Sequence, residues 1–189
     1  MSASPEIARI WLTYKTRIIS ERRLKAYALV SHLALSWYAF LSIVLTIYQN
    51  NLAAQLGATA ATQASLVISV LTFGLSLIIY GFKFEESART FRECYLRMQS
   101  IYQSAEPDSV KLSEYSRALD HYPNHASRDY EAMLFETWKA GRTLYGTDGQ
   151  PIAFGIARIL ASYARTFLWI ASLAIIFGGP LVIAVLIAT

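Results

Sequence analysis

The chain has 189 residues, 54% of them hydrophobic, a mean hydropathy of +0.34, and 17 Lys/Arg against 13 Asp/Glu for a formal net charge of +4. It is long enough for one ordinary domain and too apolar for a disordered or strongly solvated chain. Every charged side chain lies in residues 1–25 or 83–165 and none in 26–82 or 166–189, a distribution that nearly excludes a soluble enzyme and predicts an all-α integral membrane protein.

In chain order, residues 1–25 read as a basic amphipathic helix. Ser4 is an N-cap candidate, Pro5 suits the first helical position, and Glu6 suits the positive end of the helix dipole. Ile7, Ile10, Trp11, Tyr14 and Ile18 recur at helical spacing, with Arg9, Lys15, Arg22 and Arg23 on other faces. Such a helix either lies on the inner leaflet, with Arg22, Arg23 and Lys25 on lipid headgroups, or packs its stripe on the protein's own cytoplasmic domain. These residues carry six Lys/Arg and two acids, whereas residues 83–165 carry eleven of each. The positive excess therefore precedes the first apolar block, which points to headgroups and orientation rather than to direct nucleic-acid binding.

A bilayer core of about 30 Å needs about 20 helical residues. Spans are predicted from about Ala26 to Tyr48, from about Ser65 or earlier in the Ala/Thr run to Phe82, and from about Thr166 to Ala188, three transmembrane helices in all. Arg22, Arg23 and Lys25 precede the first, Lys83, Arg89 and Arg92 follow the second, and Arg158 and Arg165 precede the third, while the connector 49–64 is uncharged. The expected topology puts the amino terminus and residues 83–165 in the cytoplasm and the carboxyl terminus outside. Cleavage after Ala58, Thr59 and Ala60 is not expected, because the basic region is too long and the site lies ten residues beyond a spanning-length segment.

The second span carries Ser65, Ser69, Thr72 and Ser76, continued by Tyr80, as one hydroxyl stripe; the first carries Ser31, His32, Ser36, Ser42 and Thr46 less regularly. In a single chain such stripes serve helix packing, and in an oligomer they become a weakly polar pore wall. His32, near the cytoplasmic end, reads as an interfacial anchor.

Beyond the second span the helix is expected to continue, with Phe84, Ala88, Phe91, Tyr95, Met98 and Tyr102 alternating spacings of four and three. That stripe needs a partner helix from the chain or from another subunit. Glu85, Arg89, Glu93 and Arg97 form a ladder of alternating charge beside it. Glu106, Pro107 and Asp108 end this helix, a second runs from about Ser109 to Tyr122 and Pro123, and a third carries Tyr130, Leu134 and Trp138. After the turn-rich stretch from Gly146 to Gln150, Pro151 is expected to open a helix leading to the last span, which Gly178, Gly179 and Pro180 should kink or weaken. The resulting divisions are 1–25, 26–82, 83–150 and 151–189.

Catalytic chemistry has little support. His121 and His125 have the spacing of a metal pair, but Pro123 interrupts the helix that would aim both at one ion. Cys94, the single cysteine, reads as a small packing residue. Without a phosphate loop or a nucleophile and base pair, neither an enzyme nor a cofactor is expected.

Tyr14, Lys15, Thr16 and Arg17, leading through Glu21, Arg22, Arg23 and Leu24 into two spans and then Phe91, Arg92, Cys94, Tyr95 and Leu96, resemble the SLATT family of bacterial two-transmembrane effectors. Asn124, His125, Asp129 and Tyr130 look like an Asn-His and Asp-Tyr signature of that family, and the third span resembles its subgroup with an added carboxyl-terminal helix, linked to reverse transcriptases. The resemblance implies an inner-membrane, pore-forming effector in conflict systems against phage, with a possible reverse transcriptase or nucleotide-signalling partner. For the four signature residues the residue-level reading is a capped turn holding two helices. The functional expectation is a homo-oligomer that leaks ions when triggered; the alternative is a membrane-anchored scaffold that recruits a partner enzyme.

Overall fold

Between Pro5 and Ile47 nothing stops a helix, because no glycine and no further proline interrupts the stretch. In the computed structural model this stretch is one helix, α1, Pro5–Ile47. The structure describes residues 5–146 and 150–188, with side chains for 7–146 and 150–182. The proposed cap at Ser4, the Glu6 side chain and the centre of the 146–150 turn lie outside the described residues. Six helices follow: α2 Gln49–Leu56, α3 Ala58–Phe82, α4 Phe84–Gln103, α5 Asp108–His121, α6 Ser127–Lys139 and α7 Ile156–Ala188. Among the described residues there is no strand, only an isolated bridge between Tyr145 and Pro151.

Two boundaries differ from expectation, at Lys83 and at Pro151. α3 starts at Ala58, ahead of Ser65, because Gly57 takes φ 88° and ψ 149°, a turn only glycine adopts easily, and the Ala/Thr run behind it is helical. The second span and the following amphipathic stretch are two helices, separated at Lys83, which sits in the left-handed region at φ 43°. Pro151 opens no helix: it bridges Tyr145, Ile152 N–H donates to Leu144 O at 2.7 Å, and the helix begins after Gly155, whose carbonyl accepts from Arg158 and Ile159. α7 runs unbroken through Pro180; a proline removes one N–H donor from the ladder, and the surrounding apolar helix tolerates it.

The chain divides into two compact units, residues 1–25 with 85–165, and residues 26–84 with 166–189. In the first, Ile7 and Ile10 of α1, Cys94, Met98 and Ile101 of α4, and Tyr115 and Ala118 of α5 form the core, with Tyr14, Tyr102, Leu119 and Tyr122 packed against it. The apolar stripe of residues 1–25 thus covers the protein's own helices rather than a leaflet. Each fully buried side chain such as Ile10 or Met98 contributes about 1.5–3 kcal/mol. Thr13 Oγ1 and the Tyr115 hydroxyl are 2.8 Å apart and fix the register of α1 on α5. A second cluster joins Phe135 and Trp138 of α6 to Phe154 and places Phe135 edge-on to Tyr163 of α7.

The second unit holds three helices long and apolar enough to cross a membrane, formed by α1, α3 and α7. Tyr38 donates to the Ile176 carbonyl at 3.1 Å, tying α1 to α7. Tyr27 packs on Trp169 and Phe84, and Phe84 stacks on Phe82. Otherwise these helices leave their apolar residues uncovered, including Leu29, Phe40, Leu66, Val70, Phe73, Phe167 and Ile170. A surface of this kind is at rest only in hydrocarbon or against other apolar helices.

Candidate functional site: a buried polar node

One turn beyond Tyr14, α1 changes from an apolar to a polar inward face. Thr16, Arg17, Ser20 and Glu21 are all buried, which is unusual for these residue types and requires that each be paired. The partners come from α4, α6 and α1 itself. Asp129 of α6, 1% exposed, accepts from Ser20 Oγ at 2.7 Å and from two nitrogens of Arg23, Nε at 2.6 Å and Nη2 at 2.9 Å. This is the bidentate arrangement that makes an arginine–carboxylate pair strong and directional. Thr16 donates to Leu12 O at 2.9 Å and Glu21 pairs with Lys25 at 2.6 Å, so both are satisfied within α1.

Arg17 is the exception. Its side chain is 0% exposed, its Nη1 donates to the Cys94 thiol, and its Nε and Nη2 have no partner. Among the described residues no carboxylate is ion-paired with it, since Asp129 is held by Arg23 and Glu21 by Lys25. The Nδ1 of His125, in the loop before α6, is also buried and unpartnered. The node therefore contains a strong acid–base pair and, with it, a guanidinium and an imidazole that the protein leaves under-satisfied. Burial pushes the Cys94 thiol above its ordinary range, an effect Arg17 only partly offsets, so Cys94 is a protonated packing group.

His125 is pushed the other way. Burial lowers its pKa below the ordinary 6.5, the Arg17 charge lowers it further, and the Asp129 charge opposes both. A histidine whose folded pKa is depressed contributes stability that is complete above its unfolded value and lost as pH falls through 6.5 toward the lowered one. Unfolding followed by tryptophan fluorescence is expected to show a midpoint that declines from about pH 7.5 to about pH 5.5. In His125→Asn this decline is expected to be shallower; an identical slope in both proteins contradicts the assignment.

The sequence candidates distribute as follows. Of the signature residues, Asp129 is in the node and His125 at its edge, Tyr130 is half-buried and Asn124 exposed. Asp129 is not the cap of a turn. The residue before α6 is Ala126, which makes no side-chain cap, and Asp129 instead reaches across to α1. Arg23 belongs to this pair; Arg22 pairs with Glu136 at 2.9 Å, both exposed, and the exposed Lys25 pairs with the buried Glu21. On α4, Ala88, Phe91 and Met98 are buried, Tyr95 and Tyr102 half-buried, and Phe84 belongs to the membrane unit. The partner that this stripe requires is the chain's own core, in which Cys94 and Ile101 are the additional buried positions. In α3 the hydroxyls of Ser69, Thr72 and Ser76 donate to the carbonyls of Ser65, Ile68 and Phe73 at 2.7–2.9 Å, so these three donors are satisfied within the helix. Among the described residues no group of three metal-ligating side chains comes together.

Three apolar helices carrying a separate, charged helical unit with a buried polar node define an all-α integral membrane protein with an extramembrane domain. The model of the SMODS and SLOG-associating 2TM effector domain family 5 matches residues 6–187, and the chain belongs to this family, the SLATT family of two-transmembrane effector domains of defence systems. The match runs through α7, so the third apolar helix lies inside the family's own extent. No curated protein and no solved structure matches the chain.

Proposed function

We propose that this chain is the membrane effector of a bacterial anti-phage system, held silent by its extramembrane domain and forming an ion-leaking homo-oligomer in the inner membrane when triggered. The observation that carries the reading is that its spanning helices cover almost none of their apolar surface within one chain, while α3 bears a hydroxyl stripe at Ser65, Ser69, Thr72 and Ser76. Three helices of one chain enclose no plausible path for ions, so a conducting form needs several copies. The excess of Lys/Arg before the first span supports a cytoplasmic amino terminus, and Arg22 and Lys25, exposed beside their partners, are the residues placed to meet anionic headgroups. A trigger from a reverse transcriptase or a nucleotide-signalling enzyme follows from the family likeness, and the mode of action is permeation rather than catalysis.

The node supplies a mechanism for restraint. Asp129 clamps α6 to α1, and α1 runs from the node into the membrane unit, so release of that clamp changes what holds a spanning helix. The test is expression of the activated system with a membrane-potential dye. Depolarisation is expected for the wild type and is expected to be lost when Ser69, Thr72 and Ser76 are all changed to leucine. An intact potential while phage are still restricted favours a scaffold that recruits a partner enzyme.

A further inference from the structure

A groove of about 500 Å³ runs between α1, α6 and the connector after α6, within the extramembrane unit and apart from the polar node. Its volume falls in the range of small-molecule sites. Gly141, at φ 68°, turns the chain at the end of α6, and the Arg142 N–H returns to Thr137 O at 3.1 Å, which brings Arg142 and Thr143 to the rim opposite α1. From α1 come Trp11, Lys15 about one turn on and Arg22 about two turns beyond that, along one face, and from α6 comes Glu136.

The chemistry of this lining is unequal. Three cations face a single carboxylate, and that carboxylate is taken by Arg22 at 2.9 Å. Among the described residues Lys15 has only ring faces as partners, with Nζ 5.7 Å from the centre of Trp11 and 5.3 Å from that of Tyr14. Among the described residues Arg142 makes no side-chain hydrogen bond or ion pair. An indole wall with an ammonium held over it, facing a free guanidinium across an apolar floor, suits a planar ring that carries a negative group. The ring stacks on Trp11 and the anion lies between Lys15 and Arg142.

We propose that this groove is a binding site for a small organic anion with a planar aromatic ring. The site spans the two helices that Asp129 clamps together, so occupancy bears on the same contact, and the proposal stands whether or not the chain forms a pore.

The experiment uses the full chain in detergent and calorimetric titration with 1-naphthyl phosphate, with inorganic phosphate and 1-naphthol as separate arms. Saturable binding of naphthyl phosphate is expected below about 1 mM, where an interaction is worth about 4 kcal/mol. Lys15→Gln, at a half-buried position, and Arg142→Gln, at an exposed one, are each expected to weaken it tenfold or more while leaving the unfolding midpoint in place. Inorganic phosphate, which lacks the ring, is expected to bind at least tenfold more weakly than the aryl ester. Three results overturn the proposal: no saturable binding below that concentration, equal binding by the double variant and the wild type, or phosphate binding as tightly as its aryl ester. Naphthol heat equal to that of naphthyl phosphate, unaffected by either substitution, identifies micelle partition and also overturns it.

Discussion

Asp129→Asn is expected to be the most damaging single substitution in the extramembrane domain. The replacement keeps the shape of the side chain but turns an acceptor of three hydrogen bonds toward the Arg23 guanidinium as a neutral amide, one of whose ends is a donor. Arg23 is only 19% exposed, so water does little to screen its charge if the bidentate contact with Asp129 is lost. Removing one partner of a buried pair costs about 3–5 kcal/mol, because the remaining charge is left uncompensated. For a unit of this size that corresponds to a midpoint lowered by roughly 10 °C or more. The single buried cysteine supplies the measurement: a thiol-reactive fluorophore reports unfolding by reaching Cys94. A midpoint within about 2 °C of wild type contradicts the clamp.

Arg17→Met is expected to behave in the opposite way. Arg17 is fully buried, touches only a protonated thiol through Nη1, and leaves two nitrogens without partners, so its charge is desolvated with little in return. Replacing a poorly compensated buried ion by an apolar side chain of similar length is neutral or stabilising, by about 1–4 kcal/mol. The midpoint is therefore expected to hold or rise. Without the guanidinium His125 loses one of the two causes that depress it, so the decline in stability below pH 6.5 becomes smaller. If the stable variant no longer depolarises cells, Arg17 is retained for switching at the expense of stability. A loss of more than about 2 kcal/mol shows instead that its charge is paired.

The two predictions separate what the sequence displayed from what it concealed. The spans were legible because lipid tolerates no charge along 20 residues, and α5 and α6 were legible because Pro107 and Pro123 punctuate them. The continuity of α1 was visible only as the absence of any breaker near Lys25. The stop at Lys83 was not visible, since a lysine in the left-handed region is chosen by its surroundings rather than by propensity. Pro151 misled because a proline suits the first turn of a helix and an extended bridge equally.

The node was the least legible feature. Its parts lie at positions 17, 20, 23, 94, 125 and 129, and a buried arginine looks in a sequence like any surface cation. Arg23 read as a headgroup contact because, with Arg22 and Lys25, it directly precedes the first apolar block. Two signals pointed inward. Thr16, Ser20, Arg23 and the adjacent Arg17 continue a helical face about two turns after Ile10, and the residues that carried the family resemblance include Thr16, Arg17, Glu21, Arg23, Cys94, His125 and Asp129. The fold brings these together around one point.

The central claim, that this domain restrains a membrane-permeabilising assembly, is tested most directly by ion leakage from liposomes. Wild type, Arg17→Met and Asp129→Asn are reconstituted at equal density, each with and without the leucine substitutions at Ser69, Thr72 and Ser76. The account predicts that Asp129→Asn leaks faster than the wild type, that Arg17→Met does not, and that the leucine substitutions abolish leakage in every background. Liposomes carrying Asp129→Asn that stay as tight as empty ones contradict it.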